Sequence, residues 1–237
     1  MKPALTINGL ANARDLGGLE RVDGTTTPDR IFIRAERLDE VDASGWEALL
    51  AYGVRTVIDL RRPDESSGEV PSPLAHVRVD LDGDDVGFWA PYEADGRWGT
   101  PLYYLAHLQE LPHRLSEVLT ALASADDGAI LFHCSAGWDR TGLVAAVLLR
   151  ALDVTSDAAV RDYMGSFANA ERMALLHRRS FEVEERHQIL GRFGHTPDSA
   201  FRDMYENLRI DDWFTEAGLD RETRTAITTW RGAVPRT

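Results

Sequence analysis

The chain has 237 residues, enough to bury a substantial core as one domain or as one domain with a lid, and its 43% hydrophobic and 27% charged residues are those of an ordinary globular protein. A net charge of −13, from 26 basic and 39 acidic residues, argues against nucleic acid as the main partner, and a single cysteine excludes an internal disulfide. No run approaches the length of a membrane span, so stable insertion is not expected, and the N-terminus lacks the basic-then-apolar pattern of a signal peptide; the expected location is the cytoplasm.

In chain order, a polar turn at 23–29 leads into a predicted strand at 30–34. Ser44 is placed to cap a short helix through Trp46, Leu49 and Leu50 that Gly53 ends. Val54 to Leu60 reads as a second strand, stopped by Pro63, and the alternation from His76 to Leu81 as a third. Leu111, Leu115, Val118, Leu119 and Leu122 mark one helix face ahead of the apolar strand Ala129-Ile130-Leu131-Phe132. Beyond it, Leu143 to Leu149 has helical spacing, and Ser156 is read as the cap of a helix bearing Val160, Tyr163, Met164 and Phe167. Residues 170–190 are helix-forming, with 182–186 read as a solvated face; Thr196-Pro197 starts a further helix and Asp220 caps the last. Strands alternating with helices predict an α/β layer around a largely parallel sheet.

The stretch His133-Cys134-Ser135-Ala136-Gly137-Trp138-Asp139-Arg140-Thr141-Gly142 sits between that apolar strand and helix. A cysteine at the foot of a helix meets unpaired N–H groups and the positive end of the helix dipole, which favour an anion and a thiolate. Arg140 adds a planar fork matched to two phosphate oxygens. A buried cysteine at a strand end would leave the Gly and Arg spacing unexplained.

This His-Cys-x-x-Gly-x-x-Arg-Thr signature resembles that of the cysteine-dependent protein tyrosine phosphatase superfamily. Asn12-Ala13-Arg14-Asp15-Leu16-Gly17-Gly18 and Gly53 to Arg61 are similar to elements of the bacterial tyrosine/serine phosphatase family, and the likeness runs from residue 12 to about 165. The resemblance implies a protein tyrosine phosphatase-like α/β fold, a central mainly parallel sheet flanked by helices with a C-terminal helical lid. It makes 1–237 one phosphatase domain, with 156–208 as the lid. Position 138 departs from the pattern: the family usually carries Lys there, and Gly-Trp-Asp-Arg-Thr is instead similar to the loop of myotubularin-type phosphoinositide phosphatases.

Attack by Cys134 on phosphorus would give a phosphocysteine that water hydrolyses, with the backbone of Ser135, Ala136, Gly137, Trp138, Asp139 and Arg140 binding phosphate. Thr141 is placed to hydrogen-bond the sulfur, and His133 to orient the loop. The general acid is Asp139, which the resemblance favours, or Asp82 within the acidic turn Asp80, Asp82, Asp84 and Asp85; that turn reads more readily as solvated. Asn12, Arg14 and Asp15 either support the loop or form an Asx-type turn before Gly17-Gly18. Arg34 and Arg61 are expected to pair with Asp59 or Asp15 as buried ions. The Trp138 indole either walls the pocket or packs beneath the lid.

No cofactor or metal is expected, because the loop supplies the positive field. The expected activity is a protein-tyrosine phosphatase, with a phosphotyrosine protein or a phosphorylated small molecule as partner and the oligomeric state open. Rival readings are a phosphoinositide or small-molecule phosphatase and a catalytically silent phosphate-binding module, against which the intact Cys134 and Arg140 argue. A rhodanese-like sulfur transferase does not fit the residues around Cys134.

Overall fold

The apolar run before Cys134 becomes the middle strand of a five-stranded sheet. In the computed structural model, which describes residues 5–65, 68–181 and 183–235, the strands are β1 (Arg14–Asp15), β2 (Phe32–Ala35), β3 (Val54–Asp59), β4 (Ala75–Arg78) and β5 (Ala129–His133). Their order is β1-β2-β5-β3-β4; β1 is antiparallel to β2 and every other pair is parallel. β5 is buried at every residue. Parallel strands covered on both faces lose the polar alternation of an open sheet, hence its unbroken apolar sequence.

The helices are α1 (Ala43–Tyr52), α2 (Val86–Asp95), α3 (Tyr104–Glu110), α4 (Pro112–Ser124), α5 (Arg140–Ala151), α6 (Ser156–Ala168), α7 (Ala170–His177), α8 (Val183–Arg192), α9 (Pro197–Asn207), α10 (Ile210–Glu216) and α11 (Arg221–Thr228). α1 closes the smaller core, where Leu49 meets Ile33, Val57 and Leu131. The larger core fills the opposite face, with α4 and α5 behind Phe32, Ile58, Ile130 and Phe132. α5 is buried from Arg140 through Leu149, wedged between the sheet and α6, α10 and α11. Truncating one of its leucines to alanine would cost about 2–5 kcal/mol. A helix so deeply packed is a rigid base for whatever its first turn carries.

Several expected boundaries move, each for a local reason. The first strand begins at Phe32, because Arg30 is left-handed at φ 62° and cannot extend the ladder. Asp42, rather than Ser44, caps α1, its carboxylate accepting from the Gly45 amide at 2.9 Å; Ser44 lies inside the helix. Thr155, rather than Ser156, caps α6. The edge strand ends at Arg78, although the Val79 amide still bonds to Asp59 O at 2.9 Å, and the Asp80 carboxylate then accepts from the amides of Asp82 and Gly83 to make a turn. The 170–190 segment is two helices, α7 ending at a left-handed Arg178 (φ 49°). Within 156–208, α6 and α9 lie in the larger core, where Tyr163 stacks on Phe201 with ring centres 4.4 Å apart.

Candidate active site

β5 delivers Cys134, and the loop 134–139 turns into the first residue of α5, Arg140. Gly137 makes the turn possible: its φ is +63°, and a Cβ there would collide with the Ala35 carbonyl. Cys134 is buried, 2% exposed, and carries no disulfide.

Four successive carbonyls of this loop are held from outside. His133 Nδ1 donates to Cys134 O at 3.1 Å, the Arg37 amide to Ser135 O at 3.1 Å, and Asn12 Nδ2 to Ala136 O at 3.0 Å. Arg34 Nη2 donates to Gly137 O at 2.9 Å. A peptide plane that points its carbonyl outward points the following N–H the other way. The amides of Ser135, Ala136, Gly137 and Trp138 are thereby turned away from those partners, an arrangement that could hold an anion. His133 does this as a neutral donor, because burial brings its pKa down to about 4.

Arg140 meets this cradle with its orientation already set. Its Nη1 and Nη2 pair with the two oxygens of Glu65 at 2.5 and 2.7 Å, and Nη1 lies 3.3 Å from Asp82 Oδ2. Burial alone would lower the guanidinium pKa, but Glu65, the Cys134 sulfur and Asp82 together raise it above its ordinary value. Asp139 lines the same cavity of about 810 Å³ as Cys134 and Arg140. Burial lifts its carboxyl to about 6, against the charge of Arg186 and a 2.8 Å hydrogen bond from Tyr103 to Oδ2. Its Oδ1 has no hydrogen-bond partner among the described residues. A half-protonated carboxyl with one uncommitted oxygen can move a proton near neutral pH.

Asp82 is not part of a solvated turn. It is 2% exposed, 3.2 Å from Arg62 Nε, and burial raises its carboxyl against the charges of Arg140 and Arg62. Asp84 is fully exposed at its side chain, and Asp85, also exposed, caps α2.

Of the supporting residues, Asn12 bonds the loop directly, Arg14 reaches it through Asn12, and Asp15 does not reach it. Asp15 accepts from the Gly17 amide, the Arg30 amide and the Tyr52 hydroxyl, the turn-forming alternative. Arg34 does not pair with Asp59 or Asp15; it shares Asp162 of α6 with Arg14, at 2.6 and 2.7 Å. Arg61 does take Asp59, through two bonds of 2.9 Å. Thr141 is fully buried on the first turn of α5, and its hydroxyl makes no hydrogen bond to the sulfur or to any other described group. Trp138 is also fully buried, edge-on to Phe167 at 4.4 Å, so its side chain packs under the helices instead of walling the pocket.

Sequence reasoning missed Glu65, Asp162, Tyr103 and Glu36, the last a buried carboxylate that accepts from the Ala11 and Asn12 amides. None falls in a motif: Glu65 meets Arg140 across 75 residues, and Asp162 meets Arg34 across 128. The 182–186 run was also misread in part. Glu184 and Glu185 are exposed, but Arg186 lays its guanidinium over the Trp138 ring, 4.6 Å from the centroid; Glu182 lies outside the described residues. Among the described residues no cluster of side chains is arranged to hold a metal, and no helix is long and apolar enough to cross a membrane.

The family model described as "Tyrosine phosphatase family" matches residues 5–230. A tyrosine-protein phosphatase of Nostoc commune is 32% identical over 148 residues, 59% of this chain and 49% of the relative. The triple specificity protein phosphatase PtpB of Mycobacterium tuberculosis is 31% identical over 172 residues, 59% of this chain and 61% of the relative. The chain thus spans from about half to under two thirds of the length of these curated relatives. Among solved structures, P. aeruginosa TpbA in complex with pTyr aligns over 74% of this chain and 86% of its own at 18% identity and a TM-score of 0.36, too low to speak for a shared architecture.

Proposed function

This chain belongs to the tyrosine phosphatase family, and from that premise we propose that it hydrolyses phosphate monoesters through a phosphocysteine on Cys134, acting on phosphotyrosine in proteins. The observation that carries the reading is the convergence of Cys134, Ser135, Ala136, Asp139 and Arg140 on a single cavity.

The Cys134 sulfur attacks phosphorus as the bond to the tyrosyl oxygen breaks. Charge developing on the three equatorial oxygens falls on the amides of 135–138 and on the Nε edge of Arg140, which Glu65 leaves open. Removing one such preorganised donor costs about 3 kcal/mol in comparable sites. Asp139 gives its proton to the leaving oxygen. In the second step the resulting carboxylate takes a proton from the water that attacks phosphorus, and the Cys–P bond breaks to release inorganic phosphate and the thiolate. The lid of this reading lies within 156–208, whose Arg179, Phe181, Glu185, Arg186 and Ile189 line the cavity, and 1–237 works as one phosphatase domain.

A second substrate reading has its own support. The sequence argues against a polyphosphorylated headgroup because no lysine lies near the loop, yet Arg37, Arg62 and Arg179 line the cavity. Such a headgroup needs cations beyond the one on the reacting phosphate. Comparing kcat/KM for a phosphotyrosine peptide and a soluble phosphoinositide at fixed salt separates the two: a preference for the peptide is expected, and a clear preference for the inositide would replace the protein substrate.

A further inference from the structure

We infer that Arg186 is a positioning residue for the reaction: lying on the indole of Trp138 and bonded to the carbonyl of Gly99, it ties α8 to the catalytic loop and holds Asp139 ready for proton transfer. The inference rests on the phosphatase reading.

Three separate stretches of chain meet at this one guanidinium. Its carbon stands 4.6 Å from the centre of the Trp138 ring, and its Nη1 donates to Gly99 O. Gly99 takes a left-handed backbone at φ +79°, and the position its Cβ would occupy lies in van der Waals contact with the Arg186 guanidinium. Arg186 is half-buried and makes no ion pair among the described residues, although Glu184 and Glu185 precede it on its own helix. An arginine drawn partly out of water without a carboxylate is costly to place. A stacked indole returns about 0.5–2 kcal/mol of that.

The charged groups around Asp139 show what this placement does. Tyr103 and Tyr104 face it from the 3-10 turn at Pro101–Tyr103 and the start of α3, Tyr163 from α6, and Asp82 from the turn after β4. Arg140, its neighbour in the chain, is committed to Glu65. Arg186, which no carboxylate engages among the described residues, opposes the burial and the Asp82 charge that drive Asp139 toward its neutral form. Without it the carboxyl would hold its proton too tightly to act in both directions. The same guanidinium lies on Trp138, the residue before Asp139, and shares a cavity with Asp139, so α8 brings the cation to the loop.

Arg186→Met keeps most of the stem and removes the charge and the donor; Arg186→Lys keeps the charge without the planar stack. Titration of the Asp139 carboxyl, followed by carbon NMR in the whole protein, is expected to shift upward by about one pH unit in Arg186→Met and to return toward wild type in Arg186→Lys. The alkaline limb of kcat moves with it, and kcat/KM for a phosphotyrosine peptide falls about tenfold in both variants, since the lysine does not restore the tie to the loop. An unchanged Asp139 midpoint in a folded Arg186→Met protein, with folding checked by its melting temperature, overturns the inference. The titration needs no turnover, so a protein without phosphatase activity would sink the functional reading alone.

Discussion

Glu65 closes on Arg140 end-on, its two oxygens 2.5 and 2.7 Å from Nη1 and Nη2, so that the carboxylate takes both terminal nitrogens and not Nε. Partial burial favours the neutral form of Glu65, but the bonds to Arg140 outweigh it and hold the carboxyl below its ordinary range, so the pair is ionic at neutral pH. A fork fixed on one edge presents the other edge without the entropy cost of ordering a long side chain. Glu65→Ala is therefore expected to raise KM for an aryl phosphate about tenfold. Tighter inhibition by inorganic phosphate in that variant would show instead that Glu65 competes for the phosphate position.

Cys134→Ser removes the ionisable nucleophile and keeps the shape of the cradle, whose donors are backbone amides held by His133, Arg37, Asn12 and Arg34. Turnover should be lost, while inorganic phosphate still binds with an affinity near that of the wild type by titration calorimetry. Arg140→Ala should lose both. Near wild-type turnover in the serine variant would rule out a covalent route.

Asp139 carries its proton up to a pH of about 6, and the acid form is needed as the leaving group departs. The rate should therefore fall as pH rises through that value. Proton donation matters most for a basic leaving group, so Asp139→Asn should slow a phosphotyrosine peptide much more than an activated aryl phosphate and should flatten the alkaline limb. Asp82, held between Arg62 and Arg140, should act on KM through the arginine instead. If Asp82→Asn flattens the limb and Asp139→Asn does not, the acid is Asp82.

Asp162 is the shared anion of the buried Arg34, which bonds the loop, and the half-buried Arg14, which bonds Asn12. Burial favours its neutral form, but Arg14 and Arg34 outweigh that and keep its pKa below the ordinary aspartate value of 3.8. A carboxyl depressed in the folded state contributes stability above its unfolded pKa, and that contribution is lost as pH falls through the folded one. Asp162→Asn leaves two guanidiniums competing for a neutral amide and should cost about 3–5 kcal/mol in urea unfolding at pH 7. The deficit should narrow on acidification below about pH 4; a constant deficit would mean that the carboxylate charge is not what the arginines require.

The sequence alone determined the parts of this protein whose signals are local. The apolar run of β5, the helical spacing of α5 and the ten residues from His133 to Gly142 lie within one stretch of chain, and strand, tight loop and helix follow from periodicity and from a glycine that must turn left-handed. Thr196 and Asp220 were legible as caps for the same reason, since a cap bonds to amides two or three residues away. Boundaries were harder to read: Asp42 and Ser44, or Thr155 and Ser156, are equally good capping residues a position or two apart, and packing chose between them. Tertiary structure alone decided what stands around Cys134. Glu65 orients Arg140, Asp162 neutralises Arg14 and Arg34, and Arg186 covers Trp138, pairs separated by between 48 and 148 residues along the chain. Nothing in the local pattern distinguishes Glu65 or Arg186 from the other charged residues of their segments. A carboxylate or guanidinium acquires its role only where folding removes water and leaves it one partner.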